Sequence, residues 1–146
     1  MPAVRLKILV GVDFSPESRA ALREARDLAR RTRGLVTVAH VRPTSDVRAA
    51  VVEERGDLIR RRVALGPALE AHYARRLERI RRPVSSERVA LLEGEPAAAL
   101  CREARRNYNV LVLGSRGRGG VASFLLGSTV QEALARSPVP VLVVRG

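Results

Sequence analysis

Aromatic residues are scarce in this 146-residue chain, which has no tryptophan, two phenylalanines and two tyrosines. Without ring platforms, stacking recognition of single-stranded bases has nothing to rest on. The one cysteine, Cys101, cannot form an intrachain disulfide, and no Cys/His cluster has zinc spacing. Both facts point to a reducing compartment and away from a structural metal. Long apolar runs are missing too. None approaches the ~18 residues that cross a bilayer. The opening Met1–Val12 stretch, with Arg5 and Lys7 ahead of a short run ending at Gly11, is too short for a secretory signal and lacks a cleavage site. The expectation is a soluble cytoplasmic protein with no membrane partner. Internal repeats, low-complexity tracts and flexible linkers are absent, and the length fits one domain, 1–146, large enough to bury a core without staples.

Lysine is nearly absent as well: of 27 basic residues only Lys7 is not arginine, and the net charge is +12. Arginine suits ion-pair networks, so the charge alone does not establish a nucleic-acid role. Arg30, Arg31 and Arg33, then Arg60 to Arg62, then Arg75, Arg76, Arg79, Arg81 and Arg82 recur along stretches that read as helical, as solvated helix faces do. This argues against nucleic acid as a partner. Binding through such a surface would show itself by a steep loss of affinity with salt.

What is present is alternation. Arg5–Val12 is apolar and β-branched and runs into Asp13-Phe14-Ser15-Pro16, where Ser15 reads as an N-cap and Pro16 as the first helical residue. Ala21, Leu22, Ala25, Leu28 and Ala29 then repeat at helical spacing to about Arg33, with Gly34 as the stop. Leu35–Val41 reads as a second strand. The Arg/Glu/Ala/Leu-rich region from about Asp46 to Arg82 reads as a long helix that Gly66-Pro67 should kink or split. Ser86–Leu92 is a third strand, followed by a turn at Glu93–Pro96 and a helix carrying Ala97, Leu100, Cys101, Ala104 and Tyr108 on one face. Val110–Leu113 and Val139–Val144 are the fourth and fifth strands. Strands alternating with helices predict an α/β fold, a doubly wound, Rossmann-like parallel sheet of five strands in the order 3-2-1-4-5 with helices on both faces.

Chemistry concentrates between the fourth and fifth strands, in the run from Gly114 to Thr129. Glycines packed this densely after a buried strand let the backbone turn sharply and leave N–H groups free for phosphate oxygens. Gly127-Ser128-Thr129 then opens a helix, whose N-terminus favours anions. In the order 3-2-1-4-5, strands one and four are neighbours, so Asp13 and the Gly114 loop flank one crevice at the switch point. Asp13 also has a purely local reading as a cap of the first helix. His40, His72 and Cys101 read as structural.

The spacing Gly114-x2-Gly117-x9-Gly127-Ser128 resembles the ATP-binding signature G-x2-G-x9-G-[S/T] of the universal stress protein family. The rest of the chain supports the resemblance, with Val12-Asp13-x-Ser15 after the first strand, His40-Val41 ending the second, and Ser137-Pro138-Val139-Pro140-Val141-Leu142-Val143-Val144 at the close. It implies ATP and Mg2+ as ligands. Asp13 and the backbone of Val41 would hold the adenosine end, with Gly11, Val12 and Leu113 lining its pocket. Gly114, Arg116 and Gly117 would follow the ribose and inner phosphates, and Gly127, Ser128 and Thr129 would reach the outer phosphates and their magnesium. Arg116 stands where family members vary, often with histidine, and its guanidinium would add a charge-assisted phosphate contact.

The sequence offers little for dedicated catalysis. A P-loop needs a lysine after its second glycine, and Lys7 lies in the first strand; Gly117-x-Gly119 has Ala122 where a dinucleotide fingerprint needs a third glycine. No Ser-His-Asp triad or carboxylate pair can be assembled near the loop. Asp13, Ser128 and Mg2+ would suffice for slow hydrolysis at most. The expected role is a nucleotide-dependent regulatory module of the stress response, acting on a regulatory protein partner. The alternative is a dimeric interaction module in which nucleotide is incidental. The Val139–Val144 edge strand would pair across a homodimer, with Pro138 and Pro140 confining that pairing to its distal half.

Overall fold

The computed structural model describes residues 5–42, 47–54, 57–64, 66–81, 87–116 and 126–146. Its elements in chain order are β1 (Lys7–Gly11), α1 (Pro16–Thr32), β2 (Leu35–Arg42), β3 (Val47–Glu54), β4 (Asp57–Ala64), α2 (Gly66–Ile80), β5 (Arg88–Glu93), α3 (Pro96–Ala104), β6 (Val110–Gly114), α4 (Ser128–Arg136) and β7 (Val141–Val144). Five strands form one sheet in the order β5-β2-β1-β6-β7, every neighbouring pair parallel. Counted by the predicted strands, that order is 3-2-1-4-5, the doubly wound arrangement expected from the sequence.

Alternation along the buried strands divides the core into two layers. Ile8, Val10, Val36, Val38 and Val112 pack with Phe14, Ala21, Leu22, Ala25 and Leu77, the face covered by α1 and α2. Leu9, Ala39, Leu111 and Leu113 pack with Leu100, Cys101, Ala104, Val130 and Ala133, the face covered by α3 and α4. Ile8, Leu9, Leu77 and Leu111 are fully buried, and each contributes about 1.5–3 kcal/mol by leaving water.

The start of α1 is the one the sequence predicts. The Ser15 side chain accepts a hydrogen bond from the Ser18 N–H, and Pro16 occupies the first turn. At the other end the helix stops at Thr32, just ahead of Gly34, and Arg33 takes the left-handed conformation, with φ 53°. Gly34 is needed for a different reason. A Cβ there would come within 2.6 Å of the Leu6 carbonyl oxygen, where the chain enters β2 and the Leu35 N–H donates to that same oxygen.

The larger correction concerns residues 46–82. Their first half is an antiparallel pair, β3 with β4, in register from Val47↔Ala64 to Glu54↔Asp57. Composition suggested a helix, but Val47, Val51, Val52, Ile59 and Val63 are β-branched, and only Arg55 and Gly56 separate the two strands in sequence. Pairing with a nearby strand outweighs the weak helical preference of Arg, Glu and Ala. Gly66-Pro67 accordingly begins α2 instead of breaking a longer helix, since proline in the first turn loses no intrahelical bond.

The two-strand ladder is a sheet of its own, apart from the five-stranded one. On the far side of α2 the chain is tied back by Arg26. Its Nη2 donates to the Ile80 carbonyl at 2.6 Å and to Glu87 Oε1 at 2.7 Å.

Candidate functional site

The sheet winds outward in both directions from the boundary between β1 and β6, so the carboxyl ends of these strands leave a crevice that neither crossover covers. A cavity of about 430 Å³ occupies it. Of the eleven residues singled out from sequence, Gly11, Val12, Asp13, Val41, Leu113, Gly114, Arg116, Gly127, Ser128 and Thr129 all line this cavity. Gly117 lies outside the described residues. The lining also includes Ser18, Ala39, His40, Pro96, Leu100 and Val130, which the sequence reading did not select. Helical spacing of Pro96 and Leu100 on α3, and the position of Ala39 and His40 next to Val41, are the signals that could have found them.

Two of the glycines are explained by their surroundings. A Cβ on Gly11 would lie 2.8 Å from Leu113 Cδ2 and 3.0 Å from Leu100 Cδ1, so this glycine keeps open the apolar end of the cavity. A Cβ on Gly114 would lie 2.7 Å from the carbonyl carbon of Glu17 and 2.8 Å from its oxygen. Gly114 is thus required by close packing of the end of β6 against the first turn of α1, independently of any ligand.

Asp13 is held by its own neighbourhood. Its Oδ1 accepts from the Ser15 N–H at 3.0 Å and from the Ser15 hydroxyl, while its N–H donates to Ser18 Oγ at 3.3 Å. Ser15 is the N-cap, and Asp13 braces that cap while its residue lines the cavity. Asp13 is therefore not the cap of α1 itself but the support of the Ser15 that caps it.

His40, read from sequence as an ordinary strand-end residue, is buried and packs between Phe14 and Tyr73, with ring centroids 4.8 Å and 4.6 Å away. Its Nδ1 lies 2.7 Å from the Val12 carbonyl oxygen. A carbonyl can only accept, so Nδ1 carries the proton, and the imidazole fixes the peptide that leads into Asp13. Cys101 lies in the core between the sheet and α3, and burial raises its thiol pKa above the ordinary value.

At the opposite rim, α4 begins without a side-chain cap. Gly127 is its N-cap and makes no such hydrogen bond, whereas α1 is capped by Ser15 and α3 by Glu95, which accepts from the Ala97 and Ala98 N–H groups. The first N–H groups of a helix lack intrahelical acceptors. In α4 they belong to residues that line the cavity, where the helix dipole favours negative charge. Gly127 is anchored by donating its N–H to the Ser115 carbonyl at 2.9 Å, and the Ser115 N–H in turn donates to Val144 at 2.8 Å. The rim is thus built on β6 and β7.

Among the described residues no group of three or more His, Cys, Asp or Glu could hold a metal ion. Asp13 is the single carboxylate among the lining residues named above. Magnesium usually relies on one or two carboxylates plus the phosphates of its nucleotide, and Asp13 with the Ser128 and Thr129 hydroxyls is a donor set of that kind. Among the described residues no helix is long and apolar enough to cross a membrane.

These features define the chain as a doubly wound, Rossmann-like α/β protein whose cavity lies at the switch point of the sheet. The model of the universal stress protein family matches residues 5–145, and the chain belongs to that family. Among curated relatives, a universal stress protein of Thermus aquaticus is 38% identical over 89 residues, 54% of this chain and 65% of that protein. Stress response protein NhaX of Bacillus subtilis is 27% identical over 172 residues, covering 95% of this chain and 97% of that one. A universal stress protein of Mycobacterium tuberculosis is 38% identical over 142 residues, 94% of this chain but 45% of its own length. This chain thus spans less than two thirds of the Thermus protein and less than half of the mycobacterial one.

Among solved structures, the universal stress protein UspA of Lactobacillus plantarum superposes with a TM-score of 0.72 at 24% identity, covering 96% of this chain and 97% of that one. A universal stress protein in complex with cAMP superposes at 0.60 with 26% identity, covering 95% and 96%. The universal stress protein of Archaeoglobus fulgidus in complex with dAMP gives 0.60 at 20% identity, covering 97% and 98%. At such identities the first and third show a common fold.

Proposed function

We propose that the crevice binds an adenine nucleotide, ATP with Mg2+, and that the protein works as a nucleotide-dependent regulatory module of the stress response in the cytoplasm, with at most weak hydrolysis. One observation carries this reading: apolar side chains and an uncapped helix N-terminus line the same cavity. The base and ribose would occupy the end formed by Val12, Asp13, Val41, Leu100 and Leu113. The phosphates would pass Arg116 to the N–H groups and hydroxyls of Ser128 and Thr129. A cavity of about 430 Å³ lies within the usual range of small-molecule sites, about 300–1,000 Å³. The cAMP-bound family member supports the choice of an adenine ring.

When bound, magnesium supplies charge neutralisation on the outer phosphates. Asp13, Ser128 and Thr129 would hold it. Hydrolysis would be limited because Asp13, the single carboxylate among the lining residues named above, already accepts two hydrogen bonds from Ser15 at Oδ1.

The test is a thermal-shift titration of nucleotide-stripped protein with Mg·ATP beside Mg·GTP. Ligand at 100 times its dissociation constant stabilises the native state by about 2.7 kcal/mol, roughly 5–10 °C for a chain of this size. An ATP-selective shift is expected. No shift with any adenine nucleotide would overturn the reading.

A second reading, of a homodimer whose protein contacts carry the function, draws on β7. This four-residue strand is one edge of the sheet and, among the described residues, pairs with β6 alone, and an apolar edge strand is a template for pairing. Sedimentation with and without Mg·ATP distinguishes the two. A dimer that forms and binds its regulatory partner equally well without nucleotide would favour the second.

A further inference from the structure

Arg116 lines the cavity, but its cationic head is shared with a carboxylate that does not. Arg116 Nη2 lies 3.8 Å from Glu17 Oε1, and the two side chains keep 34% and 23% of their exposure. So long a pair, partly open to solvent, contributes little by itself, and exchanging Glu17 for another anionic partner costs little. Glu17 is the fixed member. Its carbonyl carbon and Cβ lie 2.7 Å and 3.0 Å from where a Cβ would stand on Gly114, and its Cγ lies 3.3 Å from the same position on Gly146. The end of β6 and the end of the chain therefore confine its backbone and stem from two sides. Glu17 also sits in the first turn of α1, where the helix dipole favours a charged carboxylate. The long Arg116 side chain is the part that can move.

We propose that Glu17 is a specificity-determining residue that acts through Arg116 to set how much negative charge the crevice accepts, an inference that rests on the nucleotide reading above. A phosphate reaching Arg116 must compete with the Glu17 carboxylate for the guanidinium, and a ligand that relies more on that guanidinium loses more by the competition. A ligand without phosphate is indifferent to the pair. Glu17 thereby lowers the advantage of ATP over AMP and of AMP over adenosine, restraining the Arg116 guanidinium from acting as an unopposed phosphate clamp.

Calorimetric titration of the full chain with adenosine, AMP and Mg·ATP tests this in the wild type, Glu17→Gln, Glu17→Asp, Arg116→Gln and the Glu17→Gln/Arg116→Gln double variant. Glu17→Gln is expected to tighten Mg·ATP roughly two- to fivefold, the size of one partly exposed ion pair, to tighten AMP less and to leave adenosine unchanged. Glu17→Asp, which keeps the charge, retains the wild-type ratio of ATP to adenosine affinity. In the Arg116→Gln background the effect of Glu17→Gln disappears, as coupling through one partner requires. An unchanged ATP-to-adenosine ratio in Glu17→Gln, an equal shift for all three ligands, or an effect that persists without Arg116 would overturn the inference while leaving the nucleotide site standing. A wild type that binds none of the three ligands would instead overturn the nucleotide reading itself, and this inference with it.

Discussion

Arg26 of α1 grips Glu87, one residue before β5, in a two-pronged contact: Nη2 to Oε1 at 2.7 Å and Nε to Oε2 at 3.2 Å. The Glu87 side chain is 3% exposed and that of Arg26 17%. The same guanidinium donates to the Ile80 carbonyl at 2.6 Å, so one arginine ties α1 both to the end of α2 and to the start of β5. Removing one partner of a buried pair leaves the other uncompensated, at a cost of about 3–5 kcal/mol. Arg26→Ala should lower the urea midpoint by the equivalent of about 3 kcal/mol, at the lower end because Arg26 keeps some solvent. A change below about 1 kcal/mol would show that the other contacts of Glu87 compensate its charge without Arg26.

Gly114 and Gly11 should separate stability from binding. Gly114→Ala drives a methyl into the backbone of Glu17, 2.7 Å from its carbonyl carbon, and overpacking of that kind costs about 1–3 kcal/mol. Gly11→Ala first meets the ends of Leu113 and Leu100, flexible side chains that line the cavity and would shift at its expense. The first variant should lose thermal stability in the absence of ligand. The second should lose more nucleotide affinity than stability, measured by melts with and without Mg·ATP.

The uncapped start of α4 invites a substitution that opposes function to stability. Gly127 has φ −62° and ψ 156°, extended values open to any residue, and aspartate is a better N-cap than glycine by a few tenths of a kcal/mol. Gly127→Asp should therefore melt no lower than the wild type without ligand. Its carboxylate would occupy the N–H groups proposed for phosphate and repel the nucleotide, so ATP affinity should fall at least tenfold. Equal ATP affinity in wild type and variant would remove α4 from the site.

Cys101 yields a prediction about pH. Desolvation by burial is the largest cause raising its pKa above the ordinary 9.0. A raised native value means that the thiol's contribution to stability is complete below about pH 9 and is lost as the pH climbs through the native value, because the unfolded chain ionises first. Stability should decline on that alkaline limb more steeply in the wild type than in Cys101→Ala. The native thiol should also resist alkylation at pH 8 until denaturant is added.

The βα alternation was legible because each buried strand is a short apolar run and α1 carries both a serine cap and a first-turn proline, local features that need no partner to be read. The strand order came with the doubly wound arrangement, in which strands one and four are neighbours. The hairpin of β3 and β4 was not legible. Arg, Glu and Ala suit either state in isolation, and the choice came from pairing Val47–Glu54 with Asp57–Ala64.

Sequence alone determined the family, the sheet and ten described residues that converge on one cavity, since those depend on spacing and on the period of apolar positions. Only the tertiary structure decided why particular residues are required. Gly114 answers to the backbone of Glu17, His40 fixes the Val12 carbonyl from between two rings, Gly34 is pressed against the Leu6 carbonyl, and Arg116 meets a carboxylate from α1. Each of these joins positions distant in the chain, and close packing between such positions is a property of the folded molecule that no local pattern encodes.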